Sequence, residues 1–140
     1  MSGQILIDTG PLVAFVNRKD RFHDWSDALL GTLPYPLLTC EPVITETCFL
    51  LSDVYGGESA IMTMISDGYL KTAFSLSSYA STIDSLMTQY RSVPMSLADA
   101  CLVKMAELNR NSTIVTIDSD FEIYRIHRNQ PIPLMTPNDK

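Results

Sequence analysis

Short apolar runs alternate along the chain with longer segments in which apolar residues recur every three or four positions. Short apolar runs that are rich in β-branched residues predict buried strands, and the three- and four-residue spacing predicts amphipathic helices. Strands are predicted at residues 4–7, 36–40, 69–74, 113–117 and 132–135. Helices are predicted at residues 12–16, 23–33, 41–54, 58–66, 79–90 and 96–109, with a short helix or turn at residues 121–126.

Strands that alternate with helices are typical of a parallel sheet covered on both faces. Prolines on either side of residues 132–135, Pro131 and Pro137, favour an edge position for the last strand. The expected fold is therefore α/β, a three-layer α/β/α sandwich around a central, mostly parallel sheet. No repeat, low-complexity tract or linker is present, so a single domain is expected over residues 1–140.

The first predicted strand ends at an acid, Asp8, and Thr9, Gly10 and Pro11 precede the next apolar segment. Asp8 or Thr9 could simply cap the helix that follows, with Pro11 in its first turn. In an open parallel sheet, however, strand-to-helix junctions lie at the carboxyl edge, where ligands bind. Both interpretations of Asp8 are open on this segment alone.

Three further acids occupy comparable positions. Glu46 lies early in the helix after the second strand, Asp99 opens the helix of residues 96–109, and Asp118 ends the strand of residues 113–117. Each has a structural alternative: Asp99 could form a capping box with Ser96, and Asp118 could close an Asx turn. If the sheet is parallel, all of these acids gather at one edge.

Converging carboxylates repel one another at neutral pH unless some hold protons or cations are bound. Magnesium prefers oxygen ligands and is commonly held by carboxylates together with substrate phosphates. A divalent cation in such a site lowers the pKa of water and stabilises a leaving oxygen, which is the chemistry of phosphodiester hydrolysis. The hydroxyls of Thr9 and Thr116 are candidates for orienting the carboxylates.

The bulk composition fits this chemistry. Hydrophobic residues make up 46% of the 140 residues, which is ordinary for a globular protein. The net charge of -6 argues against a protein that coats nucleic acid electrostatically, but divalent cations would reverse the local potential of an acidic nuclease site.

No apolar run is long enough to cross a bilayer and no signal segment is evident, so a cytoplasmic location without membrane contact is expected.

Two other groups of residues have candidate roles. Arg18, Lys19 and Arg21 form, with Asp20, the densest basic cluster; it is either a solvated loop or a phosphate contact. The adjacent His23 has no second histidine at ligand spacing. The three cysteines show no paired spacing typical of zinc sites and are expected to be buried free thiols.

Four motifs follow one another along the chain, at residues 8–14 (DTGPLVA), 41–46 (EPVITE), 96–100 (SLADA) and 116–121 (TIDSDF). Together they resemble the successive motifs of PIN-domain nucleases, and most of all those of VapC-type toxins from bacterial toxin–antitoxin pairs. Each motif is weak alone, but the four keep the family's order and span nearly the whole chain.

The resemblance implies a parallel α/β/α sandwich with Mg²⁺- or Mn²⁺-dependent endoribonuclease activity. The family's acids correspond to Asp8, Glu46, Asp99 and Asp118, with Asp120 as a further acid that helps to hold metal. The metal ligands are then expected among Asp8, Asp99, Asp118 and Asp120, and Thr116 corresponds to the hydroxyl residue before the last acids. A homodimer and a cognate antitoxin that blocks the cleft are also implied. Additional RNA contacts are expected at Arg18, Lys19 and Arg21, with Arg125, His127 and Arg128 as further candidates.

Three other functions compete with this interpretation. A phosphatase of the haloacid-dehalogenase type would use Asp8 as nucleophile, but it requires a second acid where Gly10 stands, and Lys104 is misplaced for its lysine. A non-catalytic PIN-like module that binds RNA or protein would be marked by a missing acid, and no acid is missing. A free-standing RNA-processing nuclease would carry the same site as a toxin.

Overall fold

The computed structural model describes residues 3–137, so the ends of the predicted domain, residues 1–2 and 138–140, lie outside the described residues. The strands are β1 (Ile5–Ile7), β2 (Leu37–Thr39), β3 (Leu70–Thr72), β4 (Thr113–Val115), β5 (Arg125–Ile126), β6 (Gln130–Pro131) and β7 (Leu134–Met135). The α-helices are α1 (Thr9–Val16), α2 (His23–Leu30), α3 (Glu41–Leu50), α4 (Gly57–Ser66), α5 (Ala80–Gln89) and α6 (Leu97–Leu108). Two 3₁₀ helices span Leu76–Ser78 and Ser119–Glu122.

Five strands form one sheet in the order β3-β2-β1-β4-β7, and every neighbouring pair is parallel. The prediction of a central parallel sheet is confirmed, and β7 takes the edge position expected of the last strand. Helices α1 to α4 pack on one another and α5 packs on α6. From β1 through β2 to β3 the chain moves toward one edge of the sheet, and from β3 to β4 it moves back toward the other edge. Since crossovers between parallel strands are right-handed, this reversal places the two groups of helices on opposite faces.

The central strand explains why the sheet needs both layers. All three residues of β1 are buried, and Leu6 and Ile7 have no exposed surface. A strand with apolar side chains on both faces requires helices on both sides. Leu12 of α1 and Leu102 of α6, each 0% exposed, contribute to this core.

The segment before the C-terminal edge strand differs from the sequence prediction. The short helix or turn expected at residues 121–126 is a 3₁₀ helix at Ser119–Glu122 followed by a two-stranded antiparallel hairpin of β5 and β6. The three loop residues of this hairpin, His127, Arg128 and Asn129, all have positive φ. The hairpin was missed because this turn contains no glycine, which is the usual signal for such backbone angles.

The cysteines and the membrane prediction can also be compared with the structure. Cys40 and Cys101 are buried free thiols as predicted, whereas Cys48 is only partly buried. Within residues 3–137, no helix combines the length and the apolar character needed to cross a membrane.

Candidate metal centre

Asp8 lies where β1 passes into α1 and caps that helix. Its Oδ1 accepts a hydrogen bond from the backbone N–H of Thr9 at 2.8 Å, and its Oδ2 accepts one from Thr116 Oγ1 at 2.7 Å. Only 6% of its surface is exposed. Burial raises the pKa of Asp8 to about 7; the two hydrogen bonds oppose this rise, and the charges of Asp99 and Asp118 add to it. The capping interpretation is therefore correct, but the carboxylate also faces other acids.

Thr116 joins the neighbouring strands β1 and β4 at their carboxyl ends. It is fully buried just after β4, and its hydroxyl accepts the N–H of Asp118 at 3.0 Å while donating to Asp8. Asp118 Oδ1 in turn accepts the N–H of Asp120 at 2.9 Å, which caps the 3₁₀ helix that follows. The predicted Asx-type turn is present, and it brings two carboxylates to the sheet edge.

Asp99 lies in the first turn of α6. Ser96 caps this helix, with its Oγ accepting the Asp99 N–H at 3.0 Å. On the other side, Asp99 Oδ2 accepts a 2.7 Å hydrogen bond from the hydroxyl of Tyr124. Burial raises the pKa of Asp99, the hydroxyls of Tyr124 and Ser96 lower it, and the charge of Asp118 raises it again.

Glu46 completes the group from the opposite layer. It is exposed on α3, and its Oε1 accepts a hydrogen bond of 3.1 Å from Thr9 Oγ1. Thr9 thus contacts Asp8 through its N–H and Glu46 through its hydroxyl. The hydroxyls of Thr9 and Thr116, the two hydroxyl candidates from the sequence, each donate a hydrogen bond to a carboxylate.

One cleft of about 320 Å³ contains all five predicted acids. Its lining residues are Asp8, Thr9, Gly10, Glu46, Leu50, Pro94, Ser96, Asp99, Asp118 and Asp120. Within it, Asp99, Asp118 and Asp120 form an acidic triad, in which each offers a carboxylate oxygen within 4.8 Å of the others. Asp8 lines the same cleft but lies outside this triad.

A larger and more apolar groove of about 700 Å³ adjoins the cleft. The two share Glu46 and Ser96. Phe49, Phe74, Leu76 and Leu97 also line the groove, beside the acid Glu41. Acidic and apolar surfaces therefore meet at the same edge of the sheet.

The basic cluster does not line the cleft. Helix α1 begins directly after Asp8 and carries the chain about 12 Å away over its eight residues before Arg18 and Lys19 follow. Both side chains are exposed, and the guanidinium of Arg21 lies 4.9 Å from the centre of the Phe22 ring. His23 Nδ1 lies 2.7 Å from the carbonyl oxygen of Ala14, which is a structural contact.

Tyr124 is the site residue that sequence reasoning missed. Its contact with Asp99 spans 25 positions and depends on how the chain turns after the 3₁₀ helix. No periodicity or motif in residues 121–126 indicates such a contact. A buried tyrosine that must satisfy its hydroxyl is the one signal available.

Comparison with protein families and solved structures agrees with this architecture. The family model of the PIN domain matches residues 5–126. No curated protein matches the sequence. Among solved structures, the fold is similar to that of Mycobacterium tuberculosis VapC20, a Sarcin-Ricin loop cleaving toxin, with a TM-score of 0.73 and 18% identity. That match covers 86% of this chain and 94% of VapC20, and it establishes a common fold.

Proposed function

This chain belongs to the PIN domain family, and from that premise we propose that it is a metal-dependent endoribonuclease, the toxin of a toxin–antitoxin pair. The observation that carries the proposal is the acidic triad, whose three carboxylate oxygens lie within 4.8 Å of one another. The fold shared with VapC20, a Sarcin-Ricin loop cleaving toxin, supports RNA as the substrate.

The donor set fits Mg²⁺ or Mn²⁺. Asp99, Asp118 and Asp120 supply only carboxylate oxygens, which hard divalent cations prefer, and neither histidine nor cysteine belongs to the described group. These three side chains would hold the cation, with Asp8 next to them in the cleft. When bound, the cation supplies positive charge that lowers the pKa of water and offsets negative charge developing on the phosphate.

Hydrogen bonds within the protein orient the carboxylates that would face the cation. Thr116 and Thr9 fix both oxygens of Asp8, so this buried carboxylate cannot rotate away from the acidic triad. Without a cation, burial raises the pKa of Asp8 to about 7, so the side chain can hold a proton near neutral pH, and a cation bound beside it would favour release of that proton. Glu46, exposed at the rim, is placed to accept a hydrogen bond from a water that enters with the substrate.

The proposed activity is tested by incubating the purified protein with RNA in Mg²⁺ or Mn²⁺. Cleavage should occur with either metal and stop in EDTA. Asp8→Asn and Asp118→Asn should each reduce the rate by orders of magnitude while leaving the circular dichroism spectrum unchanged. Asp84→Asn, an exposed acid on α5 outside the cleft, is the matched control and should cleave normally. Full activity in EDTA or in Asp8→Asn would overturn the assignment.

The same proposal includes a protein partner and a homodimer. The apolar groove lies beside the acidic cleft. This arrangement favours an antitoxin segment that places apolar side chains in the groove and basic side chains among the acids. Co-expression with the product of a small neighbouring gene should yield a complex that no longer cleaves RNA. A free-standing processing nuclease would instead remain active under these conditions. Sedimentation equilibrium of the purified protein tests the dimer.

A further inference from the structure

The acidic triad is built from two separate segments of the chain. Asp99 belongs to α6, whereas Asp118 and Asp120 belong to the turn and 3₁₀ helix after β4. A carboxylate oxygen of Asp99 lies within 4.8 Å of those of Asp118 and Asp120, so like charges face one another across the two segments. A contact that holds the Asp99 side chain in place opposes this repulsion.

Tyr124 provides such a contact. It lies on the same segment as Asp118 and Asp120, two residues after the 3₁₀ helix, and its hydroxyl donates to Asp99 Oδ2 at 2.7 Å. Both partners are buried, with Tyr124 fully so. A hydrogen bond from a neutral donor to a buried carboxylate is among the stronger side-chain hydrogen bonds in proteins.

Packing fixes the position of this hydroxyl. The Tyr124 ring meets Phe121 edge-to-face at 5.2 Å and Tyr90 edge-to-face at 5.1 Å. Phe121 is also fully buried, and it lies within the 3₁₀ helix that carries Asp120. The ring is thus held between Tyr90, directly after α5, and Phe121 of the 3₁₀ helix, and the hydroxyl has little freedom to leave Asp99.

We propose that Tyr124 is a positioning residue of the metal site, whose hydroxyl fixes the rotation of the Asp99 carboxylate so that it lies with Asp118 and Asp120. This inference rests on the proposed function, since it assigns a role toward the same cation. Tyr124 does not contact the substrate in this role. It acts through Asp99, as residues that hydrogen-bond metal ligands do.

Tyr124→Phe removes the hydroxyl and keeps the ring, so it isolates the hydrogen bond. We expect the affinity for Mn²⁺, measured by calorimetry without RNA, to fall by about 10- to 100-fold. In cleavage assays the Mn²⁺ concentration for half-maximal rate should rise in parallel, while the rate at saturating Mn²⁺ should change far less.

Tyr35→Phe is the matched control. The hydroxyl of Tyr35 donates to the carbonyl oxygen of Leu30 at 2.6 Å and its ring meets Tyr69 edge-to-face, and Tyr35 does not line the cleft. This variant should bind Mn²⁺ like the unmodified protein even if its stability to urea falls. Phe121→Leu, which loosens the ring contact and keeps the Tyr124 hydroxyl, should weaken Mn²⁺ binding less than Tyr124→Phe does.

The outcomes separate this inference from the proposed function. Unchanged Mn²⁺ affinity in Tyr124→Phe, or an equal loss in Tyr35→Phe, would overturn the role of Tyr124 alone. Mn²⁺ binding without RNA cleavage by the unmodified protein would overturn the proposed function and leave the positioning role standing. Absence of Mn²⁺ binding by the unmodified protein would overturn both.

Discussion

Thr116 Oγ1 lies 2.7 Å from Asp8 Oδ2, although 108 positions separate the two residues in sequence. The contact joins the carboxyl ends of β1 and β4, which are neighbours in the parallel sheet. Since Thr116 is fully buried and also accepts the N–H of Asp118, one hydroxyl relates two acids of the cleft.

Replacing Thr116 tests how much this hydroxyl contributes. Thr116→Val keeps the shape of the side chain but removes both hydrogen bonds. RNA cleavage should fall by about 10- to 100-fold, as is typical when a group that orients a metal ligand is lost. Thr116→Ser keeps the hydroxyl and should retain most of the rate. Equal rates for the valine and serine variants in a Mg²⁺-dependent cleavage assay would contradict this role.

The stability of the metal-free protein should depend on pH through Asp8. Its pKa is 3.8 when unperturbed and about 7 in the folded protein, so the folded state holds more protons between these values. The free energy of unfolding is therefore greatest below about pH 4 for this group and decreases as the pH rises to 7. The decrease has an upper limit of about 4 kcal/mol, and burial gives Asp99 the same sign.

Urea unfolding in EDTA at pH 5 and pH 8 measures this dependence. Asp8→Asn cannot ionise at this position and should show a smaller difference between the two pH values. Replacing EDTA with Mn²⁺ at pH 8 should restore stability to the unmodified protein, because a bound cation offsets the negative charge. A pH dependence that is the same in Asp8→Asn would assign the effect to other groups.

The exposed basic cluster should contribute to RNA binding rather than to chemistry. Changing Arg18 and Lys19 together to alanine should weaken binding of a single-stranded RNA, measured in EDTA to prevent cleavage. If each contacts one phosphate, the slope of log affinity against log salt should decrease by about 1.4. Arg91→Ala, at an exposed position after α5, is the control. An unchanged slope in the double variant would place this loop outside the RNA interface.

The core beneath the cleft should dominate stability. Leu102 is fully buried in α6, the helix that presents Asp99, and Leu102→Ala should lower the free energy of unfolding by about 2–5 kcal/mol. Leu108→Ala, 46% exposed near the end of the same helix, should change it by about 0.5 kcal/mol or less. Chemical denaturation followed by circular dichroism distinguishes the two. Similar losses in both variants would contradict the larger contribution of the buried side chain, since alanine has the higher helix propensity in both cases.

The sequence predicts the strands of the sheet and the positions of the acids at the ends of strands and helices, because both depend on local patterns. Asp8 caps α1, Asp99 lies in the capped first turn of α6, and Asp118 closes a turn, so each has a local structural role. These local roles do not prevent the carboxylates from facing one cleft. Parallel strand order then brings them together without further information. Their catalytic and metal-binding roles stay predictions.

Contacts that depend on tertiary packing could not be predicted in this way. The hydroxyl of Tyr124 reaches Asp99 only because the chain turns after the 3₁₀ helix and packs its ring against Tyr90. Nor does composition reveal that α1 carries Arg18 away from the cleft. The Tyr124–Asp99 contact and the position of Arg18 both depend on how helices and strands are oriented relative to one another. Local sequence patterns do not specify that orientation.

The position of β1 at the centre of the sheet has a consequence for dividing the protein. Asp8 and Glu46 come from the N-terminal half, and the acidic triad comes from the C-terminal half, with β1 hydrogen-bonded to strands of both. A polypeptide severed in the exposed turn at Gly68 would leave each fragment with an incomplete set of acids. Activity would then report reassembly of the two fragments, as in a split reporter enzyme.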